Sequence, residues 1–183
     1  MISSVRFPIL IVLSVMLLAC SYEQQYIRHD QIQARARYVA VLPMVNLSSY
    51  PHAGRIVGDI LTTELYAQSG FHLMEQSLVI SRLRQNALEI DDALDKTEVL
   101  DAARELGVDT VIYGSVSEYR YKRGLNEDPV VGVNLRMIDA KSKKVLWAGS
   151  KSKTGGCFWF CEDSLNRLAQ EVCNDLVAEM VAQ

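Results

Sequence analysis

The feature that most constrains this chain lies at its start. Residues 7–19 (FPILIVLSVMLLA) form an apolar run of thirteen, preceded by a short segment whose one charge is Arg6. A bilayer-spanning helix takes about twenty such residues. Thirteen suits the apolar region of a secretory signal instead. The run ends at Leu17-Leu18-Ala19-Cys20, with a small residue directly before a cysteine. That order predicts cleavage before Cys20 and a diacylglyceryl group on its thiol. An uncleaved helix ending in an ordinary cysteine is the alternative, and the order of apolar run, small residue and cysteine argues against it.

Cleavage there leaves 164 of the 183 residues, enough for one domain with its own core and a short tether. The expected organisation is a signal over 1–19, a lipidated tether over 20–36 and one α/β domain over 37–183. At 49% hydrophobic and 22% charged residues, the mature part reads as globular rather than disordered. Formal net charge is −3, and loss of Arg6 makes the mature chain one unit more acidic. With no basic excess to neutralise phosphates, nucleic acid is excluded as the main partner. Ser21, and not Asp, follows Cys20. By similarity to sorting in enteric bacteria, this implies the outer membrane.

Cys157 and Cys161 bracket Phe158-Trp159-Phe160. In an oxidising compartment a Cys157–Cys161 disulfide is one reading, free thiols a second and metal ligation a third. Metal fits least, because no matching His or Cys pair lies nearby. Cys173 falls on the apolar stripe of the last helix and reads as buried and inert.

Residues 21–36 are polar without a sustained period and read as the tether, at most roughly 55 Å when extended. A buried strand follows over 38–44 (YVAVLPM), then a turn-rich loop over 46–54. Helical spacing covers 55–68, with Gly70 as a stop. A short strand over 71–75 leads to a helix capped at Ser77. Residues 86–93 read as a polar loop, and a third helix runs from Asp95 or Lys96 to Leu106, ended by Gly107. Three strand signals follow at 110–121, 131–138 and 145–153, the last two joined by a turn at 139–143. A helix from Asp163 to Met180, capped by Asp163 or Ser164, carries a stripe of Leu165, Leu168, Val172, Leu176 and Met180. This order predicts an α/β fold: a single mixed sheet with a C-terminal antiparallel three-strand segment, flanked by helices on one or both faces.

Catalysis has little support in the sequence. His29, His52 and His72 lie apart from any nucleophile context, and no glycine-rich phosphate loop occurs. The chain is expected to be no enzyme and to need no cofactor or metal.

Three stretches carry a resemblance: VAVLPMVNLS, ELGVDTVIYGSVSEY and VNLRMIDAKSKKVLWAGS. Together they resemble the CsgG-like family of curli-secretion lipoproteins, which includes activators of peptidoglycan synthases. The longer pattern EYRYKRGLNEDPVVG, continuing into VNLRMIDAKSKKVLWAGSKSKTG, is similar to the PelC lipoproteins of Pel exopolysaccharide export. The resemblance implies an outer-membrane lipoprotein on the periplasmic face, forming a homo-oligomeric ring of about ten or more copies. Such a ring would guide a cationic polysaccharide, for the biofilm matrix, to an outer-membrane porin of PelB type. A monomeric activator of a peptidoglycan synthase and a curli-type secretion component are the alternatives.

PelC relatives place a lipid-touching Trp shortly after the T-G that closes the last strand. Here Thr154-Gly155 is followed by Gly-Cys-Phe-Trp-Phe-Cys, so the role carries to Trp159, with Phe158 and Phe160 added. Lys151 and Lys153 join them as candidate contacts to anionic headgroups. Packing of the triplet inside the domain or between subunits is the alternative. Glu127 and Asp128 are the candidate polymer-guiding acids, and Asp91, Asp92 and Asp95 form a second acidic cluster. The links at 122–129 and 139–144 are too short for a hairpin of spanning strands, which needs about nine to eleven residues a strand.

Overall fold

The computed structural model describes residues 24–27, 38–86, 88, 95–122, 128–156 and 164–182. Its strands are β1 (Gln24–Ile27), β2 (Tyr38–Val41), β3 (Val45–Asn46), β4 (His72–Leu73), β5 (Thr110–Tyr121), β6 (Pro129–Asp139) and β7 (Val145–Thr154). Its helices are α1 (Ala53–Gln68), α2 (Gln76–Gln85), α3 (Lys96–Leu106) and α4 (Leu165–Val181). They form one mixed sheet in the order β1-β7-β6-β5-β2-β4, with β3 also on β5. The pairs β1/β7, β7/β6 and β6/β5 are antiparallel, while β2, β3 and β4 join in parallel. The expected antiparallel neighbours at the C-terminal end are therefore present.

Helices cover both faces. On one, α1 and α4 pack over Ile112, Val131, Val133, Leu135, Met137 and Trp147. On the other, α2 and α3 pack over Ala40, Leu42, Val111 and Ile138. The period-2 alternation of β6 produces this division: Val131, Val133, Leu135 and Met137 face α4, and Ile138 turns to the opposite core.

Local chemistry sets the element ends. Asp95 caps α3 by accepting from Thr97 N (2.6 Å) and Glu98 N (2.9 Å), and Glu98 returns the bond to Asp95 N (3.0 Å). Gly107 closes that helix at φ +68°. Ser164 caps α4 through Arg167 N at 3.2 Å. At α2 the cap is Glu75 and not Ser77: Glu75 accepts from Leu78 N at 3.1 Å, and Ser77 donates its hydroxyl to the same carboxylate. That hydroxyl bond holds the Glu75 carboxyl below its ordinary value.

Two strand expectations change. The strand over 38–44 stops at Val41 and resumes at Val45, because Pro43 between them has no N–H for the ladder. Residues 24–27 are not free tether but the edge strand β1 on β7. The sequence QQYI has no apolar period to reveal this. Its pairing uses main-chain groups of β7, which would otherwise be an open edge.

Candidate functional site

One end of the sheet gathers the features that the sequence singled out. There β5 stops at Tyr121 opposite Pro129, and β7 stops at Thr154 opposite Val130. β3 reaches the same end, with Asn46 opposite Val116. Gln24 pairs with Ser150 and Ile27 with Trp147 in antiparallel register. The chain thus enters β1 from the Thr154 end of β7. Gln24 is four residues from Cys20, a reach of about 14 Å. Thr154 is three residues before Cys157. The described residues that follow Cys20 and those that precede the aromatic triplet therefore share one end of one strand pair.

Several site candidates lie outside the described residues: Cys20, Asp91, Asp92, Glu127, Cys157, Phe158, Trp159, Phe160 and Cys161. Asp128 is described and half-buried at the same end of the sheet. Its carbonyl accepts from Lys122 N at 2.8 Å, and Lys122 Nζ donates to Thr154 Oγ1 at 3.1 Å. Asp95 is committed to capping α3.

Lys151 and Lys153 are engaged by α4. Lys151 bonds Glu179 and lies 3.5 Å from Asp175, and Lys153 lies 2.7 Å from Asp175 and 3.8 Å from Glu171. Burial alone would raise Asp175, but Lys153 and then Lys151 outweigh it and hold the carboxyl below its ordinary value. The sequence carried a signal for this ladder. Lysines two apart on a strand share one face, as do acids four apart on a helix.

Two buried polar features were missed. Glu64 on α1 accepts from Gln68 Nε2 (2.9 Å), Gln170 Nε2 (3.2 Å) and Asn174 Nδ2 (3.1 Å), joining α1 to α4. Tyr119, 1% exposed, donates to Asn166 Oδ1 at 2.5 Å and meets the Tyr50 ring edge-on at 5.1 Å. Burial, then Tyr50 and Tyr121 nearby, push the Tyr119 phenol up to about 12. Cys173 is buried as expected, and burial with Glu64 beside it raises the thiol to about 12. Among the described residues no group of three His, Cys, Asp or Glu is placed to hold a metal. No described helix is long and apolar enough to cross a membrane.

The GNA1162-like lipoprotein family model matches residues 28–180. The chain belongs to that family. As a GNA1162-like lipoprotein it carries a family assignment consistent with lipid anchoring. Among curated proteins none matches. Among solved structures, this GNA1162-like chain is similar to the PelC dodecamer from Paraburkholderia phytofirmans. The identity is 25% over 90% of this chain and 99% of that one, with a TM-score of 0.65. Lipoprotein GNA1162 from Neisseria meningitidis gives 23% identity, 76% and 97% coverage and a TM-score of 0.59. The LpoB C-terminal domain from Salmonella enterica gives 16%, 69% and 91%, and 0.52. The last two likenesses speak to the fold alone.

Proposed function

We propose that this chain is an outer-membrane lipoprotein, acylated at Cys20, that assembles as a homo-oligomeric ring on the periplasmic face and assists export of a cationic exopolysaccharide. The ring would sit beneath a porin of PelB type and perform no chemistry of its own. One observation carries the reading. β1 joins the sheet four residues after Cys20 and enters it from the Thr154 end. This favours a module held close against its own membrane, with that end toward the lipid. Similarity to a dodecameric PelC supports assembly from copies of one chain.

The reach argument also bears on the alternatives. An activator of a peptidoglycan synthase must extend away from its membrane, and about 14 Å between Cys20 and β1 does not allow that. A curli-type pore needs spanning hairpins, for which the links between β5, β6 and β7 leave no room. In this account membrane contact rests on Phe158, Trp159 and Phe160, because Lys151 and Lys153 already neutralise the carboxylates of α4. A tryptophan flanked by phenylalanines suits the headgroup boundary, with its ring in the apolar zone and its N–H wet. Glu127 and Asp128 would meet the cationic polymer.

The test is secretion from a strain lacking the chromosomal copy. Complementation with the wild-type chain restores extracellular polymer, while Cys20→Ala does not. The pair Glu127→Gln and Asp128→Asn lowers secretion without lowering protein level. Full secretion by the Cys20→Ala strain contradicts the anchoring claim, and full secretion by the acid pair removes those residues from the polymer path.

A further inference from the structure

The described residues expose five large hydrophobic side chains: Leu47, Tyr50, Tyr66, Leu78 and Tyr121. Three of them lie on segments that reach the Thr154 end of the sheet: Leu47, 58% exposed, Tyr50, 42%, and Tyr121, 44%. Leu47 N donates to Val116 O at 3.0 Å, which ties the residue to β5. The Tyr50 ring sits on Tyr119, and Tyr121 follows on the same strand two residues later.

This arrangement is held by the loop's own polar groups. Asn46 Oδ1 accepts from Ser48 N (3.1 Å) and Ser48 Oγ (2.7 Å), and Asn46 Nδ2 donates to Tyr50 O at 2.9 Å. The loop is thus closed by its own polar groups, while Leu47 and Tyr50 keep much of their surface exposed. Tyr119 is fixed from below by Asn166 of α4. Exposed apolar side chains on segments that meet at one end of a domain are candidates for an interaction surface.

We infer that Leu47, Tyr50 and Tyr121 form a preformed membrane-docking surface that seats this end of the domain in the headgroup region of the bilayer. The inference rests on the reading of Cys20 as the lipid-bearing residue. The occupant follows from chain length. Gln24 lies within about 14 Å of Cys20 along the chain and enters the sheet from this end. An acylated Cys20 within that reach is compatible with a bilayer lying against this end of the sheet. The chemistry fits as well: two tyrosines carry an apolar ring and a polar hydroxyl, the pattern enriched at membrane interfaces. Lys122, exposed on the same rim, adds a cation where anionic headgroups would lie. The acyl chains supply the hold, and the patch sets the orientation, so that the opposite end of the sheet points into the periplasm.

The experiment uses the acylated full-length protein in vesicles of phosphatidylethanolamine and phosphatidylglycerol with brominated acyl chains. A tryptophan is introduced singly as Leu47→Trp, Tyr50→Trp, Tyr121→Trp or, as control, Tyr66→Trp, each in a Trp159→Phe background. Trp147 is fully buried and supplies a constant signal. Bromolipid quenching at the three patch positions is expected to exceed that at the control about two-fold or more. Equal quenching at all four overturns the inference. So does shielding of the patch from both water and bromolipid, together with a lower native mass for Tyr50→Ser, which would make it a contact between copies. Mass spectrometry of the same sample reads the acyl chains separately. Patch quenching on an unacylated chain upholds the docking surface and sinks the anchor. Where a variant does not fold, hydrogen exchange of the wild-type chain decides: vesicles should protect amides 47–50 and 119–121, and unchanged exchange there overturns the inference.

Discussion

Glu64 shows how much a single side chain organises. It is 7% exposed and serves three amide donors, two of them on α4. Glu64→Ala would remove the acceptor that Gln170 and Asn174 share, at about 0.5–1.5 kcal/mol for each bond, because both amides are exposed and can turn to water. Urea unfolding of the variant should show a midpoint well below wild type, with Glu64→Gln intermediate. Asp175 makes a second, pH-dependent prediction. Its carboxyl is held below the ordinary value in the fold. It therefore contributes stability above the ordinary aspartate range, and that contribution is lost as pH falls through the depressed value. Asp175→Asn should lower stability near neutral pH and leave it nearly unchanged in strong acid, read as melting temperature against pH. The effect should be small, because the group is partly exposed and its ion pairs are screened.

At the scale of elements, the close approach of α1 to the β2–β3 link gives a sharp expectation. A Cβ on Gly54 would stand 2.2 Å from Met44 O, a backbone atom that cannot swing aside. Gly54→Ala should force α1 away from the sheet and destabilise the domain, visible as a lower denaturant midpoint. Gly58→Ala, whose nearest new contact is a flexible Met44 side-chain atom at 3.6 Å, should be tolerated. The helices were legible in the sequence because each shows an apolar face with its own stop and start. Asp95, Gly107 and Ser164 were readable as such, whereas Glu75 was hidden because Ser77 offered a more familiar capping residue. The strands β5, β6 and β7 were equally plain, since β-branched runs and period-2 alternation report burial directly. β1 was not, because its place is set by the hydrogen-bonding edge of a strand more than a hundred residues away. For the same reason the shared end of the sheet was invisible. Leu47, Tyr50 and Tyr121 look ordinary until parallel and antiparallel pairing bring their segments to one end of the sheet.

For the whole molecule, the account joins two scales of anchoring. A lipid at Cys20 would fix the chain to a bilayer, and the short step to β1 would fix which end of the sheet meets it. Copies held at one height and one orientation can associate side by side in the membrane plane, the geometry a closed ring requires. The most direct test is native mass spectrometry of the acylated protein extracted from outer membranes in mild detergent. The account predicts a closed homo-oligomer of about ten or more copies, each bearing acyl chains on Cys20 and lacking residues 1–19. A monomer, or a chain that retains its first nineteen residues and carries no lipid, would contradict it.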